Sequence, residues 1–181
     1  MSALFSFTSE GQENQGGSLF IKFDARSGFW TSGEDPVDMK KATVLVDMET
    51  MQTGWMRWQN GQPEREMTHD LSPAGKIIKP EDDDPDNKWK MAFEVDLIVD
   101  GERKVWSSTA TGVLMGVNDL WTLINANPQA GKLPQVKYTG ATKKIFGKGQ
   151  SHTPNFELVG WVDRPASSDS DDVGTVADDF N

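Results

Sequence analysis

The strictest pattern in this chain is the alternation over residues 89–99. Trp89, Met91, Phe93, Val95, Leu97 and Val99 take the odd positions; Lys90, Ala92, Glu94, Asp96 and Ile98 take the even ones. Successive side chains of a strand point to opposite faces, so a period of two commits one face to a core and leaves the other mostly polar. Asp100-Gly101 follows, a dipeptide that accepts positive φ and closes a two-residue hairpin. Residues 103–110 are then the return strand. A lone hairpin is not stable in water, so this one needs further strands or a helix against its apolar face.

The rest of the chain supplies them. Residues 18–23, extended after a break by residues 29–31, read as a first strand, and residues 42–47 and 54–59 as two more. Residues 60–86 are rich in Gly, Pro and charge and read as loop, with only residues 76–79 extended. Residues 117–126 predict the one helix: Val117, Leu120, Trp121 and Ile124 share a face, and Asn118 or Asn125 with Pro128 punctuate its ends. Two strands close the body, residues 135–146 and 156–162, joined by a loop over 147–154. No internal repeat is visible.

Many strands with one late helix predict a mainly β fold: an OB-fold-like five-stranded barrel with extra hairpins or loops. A barrel of that type carries its helix between the third and fourth strands. The 89–110 hairpin then falls in the third-strand region, with 135–146 fourth and 156–162 fifth. The 147–154 loop becomes the fourth-to-fifth loop, which such barrels use to hold nucleic acid.

Charge divides the chain into a body, residues 1–164, and a tail, residues 165–181. The protein has a formal net charge of −10, and the tail holds Asp169, Asp171, Asp172, Asp178 and Asp179 with no Lys or Arg. A net-acidic body argues against a general nucleic-acid coat but leaves room for a local basic groove, because contact with phosphate depends on the local field. Cysteine is absent, which excludes disulfides, thiol catalysis and Cys-ligated zinc. The first seventeen residues lack a basic start followed by a long apolar run, and no stretch has the length of a membrane span. A cytoplasmic protein with no membrane partner is expected.

One window breaks the acidic trend. Residues 120–156 contain no Asp or Glu, in a chain with 28 of them, yet hold Lys132, Lys137, Lys143, Lys144 and Lys148. Tyr138, Phe146, His152 and Phe156 are interleaved. Single-strand binding uses this pairing: ammonium groups track phosphates, and flat side chains stack on unpaired bases of any identity. A Lys-rich hairpin can also serve simply to keep a sheet edge from pairing. If four or five lysines meet phosphates, log K falls with log salt at a slope near −3, at ~0.7 per contact.

Tryptophan is the second unusual feature, seven residues against one Tyr. Trp89 sits in phase with Met91 and Phe93, Trp121 lies on the apolar helix face, and Trp161 is flanked by apolar residues; these three read as core. Trp30 lies in a Gly- and Ser-flanked strand exit. Trp55 and Trp58 flank Arg57 and, three apart, face opposite sides of a strand, so one can enter a core while the other is left to solvent. Stacking platforms are a natural use for such residues, with Arg57 adding stacking or phosphate contact. Trp106 stays open between core and surface. The expected nucleic-acid contacts are therefore Trp30, Trp55, Arg57, Trp58, Lys132, Lys137, Tyr138, Lys143, Lys144, Phe146 and Lys148.

No catalytic constellation is present. Asp82, Asp84 and Asp86 have calcium-loop spacing, but the sixth position of that loop is Asn87 instead of Gly and the twelfth is Phe93 instead of Glu. His69 and His152 are far apart and lack zinc spacing. No phosphate-binding or dinucleotide glycine motif occurs. The expectation is a non-enzyme without metal or cofactor.

The tail has too little apolar surface to offset the entropy of ordering it, so disorder is expected from composition. Its acids are nonetheless interspersed with Val173, Val176 and Phe180. A β body followed by a Ser/Asp-rich tail ending Ala-Asp-Asp-Phe-Asn resembles the single-stranded DNA-binding proteins of tailed bacteriophages. The resemblance implies an OB fold that stacks bases on aromatics, and a tail that recruits replication and recombination proteins through Asp178, Asp179 and Phe180 while competing with DNA. The family tip usually ends on Phe, whereas Asn181 follows here, which weakens recognition of a terminal Phe carboxylate. The alternative is a phage structural or assembly protein with a solubilising acidic tail. Oligomeric state is not legible in the sequence.

Overall fold

The computed structural model describes residues 19–164. The tail with Asp178, Asp179 and Phe180, and Ser18 of the expected first strand, lie outside them. Among the described residues the fold is mainly β with one α-helix, a curled open sheet forming a half-barrel.

Nine strands build it: β1 Phe20–Asp24, β2 Phe29–Ser32, β3 Asp35–Val37, β4 Val44–Gln59, β5 Gln62–Thr68, β6 Lys90–Val99, β7 Glu102–Ser108, β8 Lys132–Phe146 and β9 Gly149–Asp163. The helix α1, Thr111–Asn125, lies between β7 and β8. The sheet runs β3-β2-β1-β7-β6-β4-β8-β9, with β5 paired to β4 off that path. All neighbours are antiparallel except β1 and β7, which are parallel through Phe20↔Val105 and Ile21↔Trp106.

The alternating segment folds as expected. β6 and β7 pair from Phe93↔Ser108 to Val99↔Glu102, and Asp100 and Gly101 both take positive φ, 49° and 88°, the conformation this tight turn needs. Phe93, Val95, Leu97 and Val99 are buried.

Four expected features differ. Residues 42–47 and 54–59 are halves of one strand, β4, whose ladder to β6 shifts register between Asp47 and Gln52. Thr50 fills that irregularity: its hydroxyl donates to the Asp47 carbonyl at 2.7 Å and accepts from the Asp96 N–H at 2.8 Å. The supposed loop over 60–86 contains β5, unreadable as a strand because most of its side chains are exposed; residues 76–79 are not in a strand. The helix begins at Thr111, well before Val117. Gly112 and Gly116 hide this start, yet close packing requires them: a Cβ on Gly116 would stand 2.6 Å from the Pro154 carbonyl. Lastly, the loop over 147–154 is only a tight turn between β8 and β9, which pair out to Phe146↔Gly149.

Seven ring–ring contacts among Phe23, Trp30, Phe93, Trp106, Tyr138 and Phe156, at centroid separations of 5.0–6.3 Å, fill the centre of the curl. Each such pair contributes about 0.5–1.5 kcal/mol beyond the burial itself. Val113, Val117, Leu120 and Ile124 of α1 close the cluster from below. No helix among the described residues is long and apolar enough to cross a membrane.

Candidate nucleic-acid interface

The expected site residues do not form one surface. Trp30 is 3% exposed and Tyr138 is also buried, each with ring neighbours on several sides. They are core residues, not stacking platforms. Sequence context misled for Trp30 because β2 pairs with β1, where Trp30 stands opposite the buried Phe23. Burial raises the pKa of the Tyr138 phenol above its ordinary value.

Arg57 is not open to phosphate either. It is buried, with Nε 2.6 Å from Glu64, Nη1 2.6 Å from Asp83, and its guanidinium 4.7 Å from the centre of the Trp89 ring. The hydrogen bonds to Asp83 and Glu64 raise its pKa. Trp55 is partly buried, its Nε1 donates to the Ile77 carbonyl at 2.9 Å, and Lys79 lies 5.9 Å from its ring centre. Of the four expected contacts in this region and on β2, Trp58 alone is open, at 59% exposed. It borders a small recess of about 140 Å³ with Lys88 and Lys90.

In the acidic loop that resembled a calcium site, Asp82 and Asp84, with Asp83 between them, have their carboxylates engaged within the protein. Asp83 holds Arg57; Asp82 accepts from the Trp89 N–H and from Lys79; Asp84 accepts from the Asp86 N–H and Asn87. The hydrogen bond from Lys79 lowers the pKa of Asp82, and that from Asn87 lowers the pKa of Asp84.

The lysine segment proves to be two different surfaces. β9 lies antiparallel to β8 and brings acids that the 120–156 window stops short of. Lys132 faces Asp163 at 3.9 Å, and Lys137 stands opposite Glu157. Beyond the irregularity at Tyr138 and Gly140 the ladder changes character: Lys143 pairs His152, Lys144 pairs Ser151, Ile145 pairs Gln150 and Phe146 pairs Gly149. Among the described residues the ladder partners of Lys143 and Lys144 include no carboxylate, and Lys148 sits in the turn. Lys143, Lys148 and Ile145 are exposed, Lys144 and Phe146 partly so.

The basic end is anchored at its root. The backbone N–H of His152 donates to the Ala25 carbonyl at 2.7 Å, and its ring Nδ1 stands 3.0 Å from the same oxygen. A carbonyl only accepts, so Nδ1 carries the proton in this contact. This ties the turn between β1 and β2 to β9 and sets Phe29 beside the hairpin. Phe29 is 70% exposed and borders a cleft of about 360 Å³ with Lys40, Gly140 and Ala141. Phe29 and Lys40 were missed from the sequence: no period marked Phe29 as outward, and Lys40 reaches β8 only through the fold.

Trp58 lies away from this end. β4 and β8 are antiparallel with Val44↔Val136, so Lys143 and Trp58 diverge from that pair in opposite directions. No family model matches the chain, and neither does any curated protein or solved structure.

Proposed function

We propose that this protein is a non-enzymatic, largely sequence-independent binder of single-stranded DNA on an OB-like barrel, acting in phage DNA replication, recombination or repair in the host cytoplasm. Strand order supports the barrel reading. With β5 set aside as an excursion paired only to β4, the strands β4, β6 and β7 lie side by side in chain order and β8 returns beside β4, the strand order of a Greek key. With β9 fifth, α1 falls between the third and fourth strands, as in that fold. On this reading the 89–110 hairpin supplies the second and third strands, and β4 is the first. The β1–β2 hairpin sits where the third and fifth strands would meet, pairing β7 on one side and hydrogen-bonding His152 of β9 on the other.

The observation that carries the reading is the basic tip of the β8–β9 hairpin beside Phe29. Lys143, Lys144 and Lys148 track phosphates there, joined by Lys40 across the cleft, while Phe29 offers a ring for stacking. The loop between fourth and fifth strands, a common nucleic-acid element of OB folds, is this same tip. The tail adds a hook for partner proteins through Asp178, Asp179 and Phe180.

Binding of end-labelled oligo-dT, followed by fluorescence anisotropy at low salt, tests the proposal against the assembly reading. Saturable binding that prefers the oligonucleotide to duplex of the same length supports it. Self-association without any DNA binding sinks it.

A further inference from the structure

Between α1 and the β4–β6 pair lies an apolar groove of about 680 Å³. Met51, Leu71, Met91, Leu114, Met115 and Trp121 line it. Met91 is 51% exposed and Met115 38%, a contiguous apolar surface of the kind soluble domains normally cover. Methionine suits such a place, because its flexible thioether moulds to whatever occupies it.

We infer that the chain's own N-terminal segment, residues 4–7, occupies this groove. Leu4, Phe5 and Phe7 are large and apolar, and no charged side chain occurs before Glu10. Residues 8–18 that follow are polar, with Gly11, Gly16 and Gly17, the composition of a linker. The linker is long enough. The Leu19 carbonyl accepts from the Val105 N–H, which places the start of β1 about six residues of strand and two strand spacings from Met91, roughly 22 Å. Eleven residues span up to about 36 Å.

Charge selects this occupant over the other end of the chain. The lining is apolar or uncharged except for Asp119 at its rim; residues 1–9 carry no charged side chain, whereas the tail carries five Asp that an apolar groove would have to desolvate. The same desolvation disfavours a nucleic acid. The inference is independent of the proposed DNA binding.

The absence of cysteine permits a clean test. A nitroxide is attached to Ser2→Cys in the full chain, and the methionine methyl groups are followed by NMR with 13C-methyl labelling. The signals of Met51, Met91 and Met115 are expected to lose more intensity than that of Met39, which is buried beside Trp30 on the other side of the aromatic cluster. Adding Phe5→Ser and Phe7→Ser should restore the three signals. Equal loss at all methionines, or none, overturns the inference. A second sample mixes spin-labelled, 12C protein with unlabelled-thiol, 13C-methyl protein. Broadening of the same three methyls in that mixture means that a second copy supplies the segment, which also overturns it.

Discussion

Lys137 stands opposite Glu157 in the β8–β9 ladder, and this pairing divides one lysine-rich hairpin into a neutralised base and a basic tip. Exposed opposite charges at such spacing stabilise little, about 0.2–1 kcal/mol. Their effect on a polyanion is larger in kind, because Glu157 offsets the local field that Lys137 would provide. Lys143→Ala combined with Lys144→Ala is therefore expected to reduce the magnitude of the salt slope for oligo-dT by about 1.4. Lys137→Ala should leave it nearly unchanged. Anisotropy titrations of the two variants at matched salt give the comparison.

Phe29 and Trp58 provide an aromatic contrast. If bases stack beside the lysine tip, Phe29→Ala costs about 1–3 kcal/mol of binding, a five-fold to hundred-fold loss in affinity. Trp58→Ala should be silent for an oligonucleotide of about eight residues, a length within the usual site size of one OB fold, since Trp58 stands on the β4–β5 hairpin and not on the β8–β9 hairpin. The converse pattern would move the interface to Trp58, Lys88 and Lys90.

Trp30 contacts Phe23, Trp106, Tyr138 and Phe156, so its removal acts on folding. Trp30→Ala is expected to cost about 3–5 kcal/mol of stability, read from urea unfolding. A variant that folds normally but loses DNA binding would return Trp30 to the interface.

Asp47 is 2% exposed and accepts two hydrogen bonds of 3.0 Å from Arg164 and one of 3.1 Å from Arg103. Burial pushes its pKa up, but the bonds from Arg164 and Arg103 outweigh burial and hold it below the ordinary carboxyl value. A depressed native pKa gives stability that is present above the unfolded value, near 3.8, and is lost as pH falls through the native one. Asp47→Asn should destabilise by about 3 kcal/mol at neutral pH and show a shallower loss of stability below about pH 4. Chemical denaturation across pH 3 to 7 (roughly the span of carboxyl titration) checks both.

How much of this was legible in the sequence follows from the kind of signal each feature leaves. The β6–β7 hairpin was, because burial of one face imposes a period of two on Phe93, Val95, Leu97 and Val99 and the turn demands Asp100-Gly101. β5 was not, since Gln62–Thr68 is solvated on both faces and leaves no such period. The start of α1 was masked by Gly112 and Gly116, chosen for closeness to β9 against their helix propensity. At the interface, the lysines were visible as a linear run, but the acids that neutralise Lys132 and Lys137 come from β9, beyond the run's end. Trp30 and Phe29 are neighbours in sequence, and which of them faces the core is set by the β1–β2 pairing, which puts Trp30 opposite the buried Phe23.

The central claim is that the open lysines at the hairpin tip and across the cleft carry single-strand binding. It is tested most directly by the salt dependence of oligo-dT affinity for the full chain and for Lys143→Ala/Lys144→Ala/Lys148→Ala. Four contacts, with Lys40 the fourth, give a slope of log K against log salt near −3 for the full chain and near −1 for the triple variant, at ~0.7 per contact. Equal slopes for the two proteins would contradict the claim.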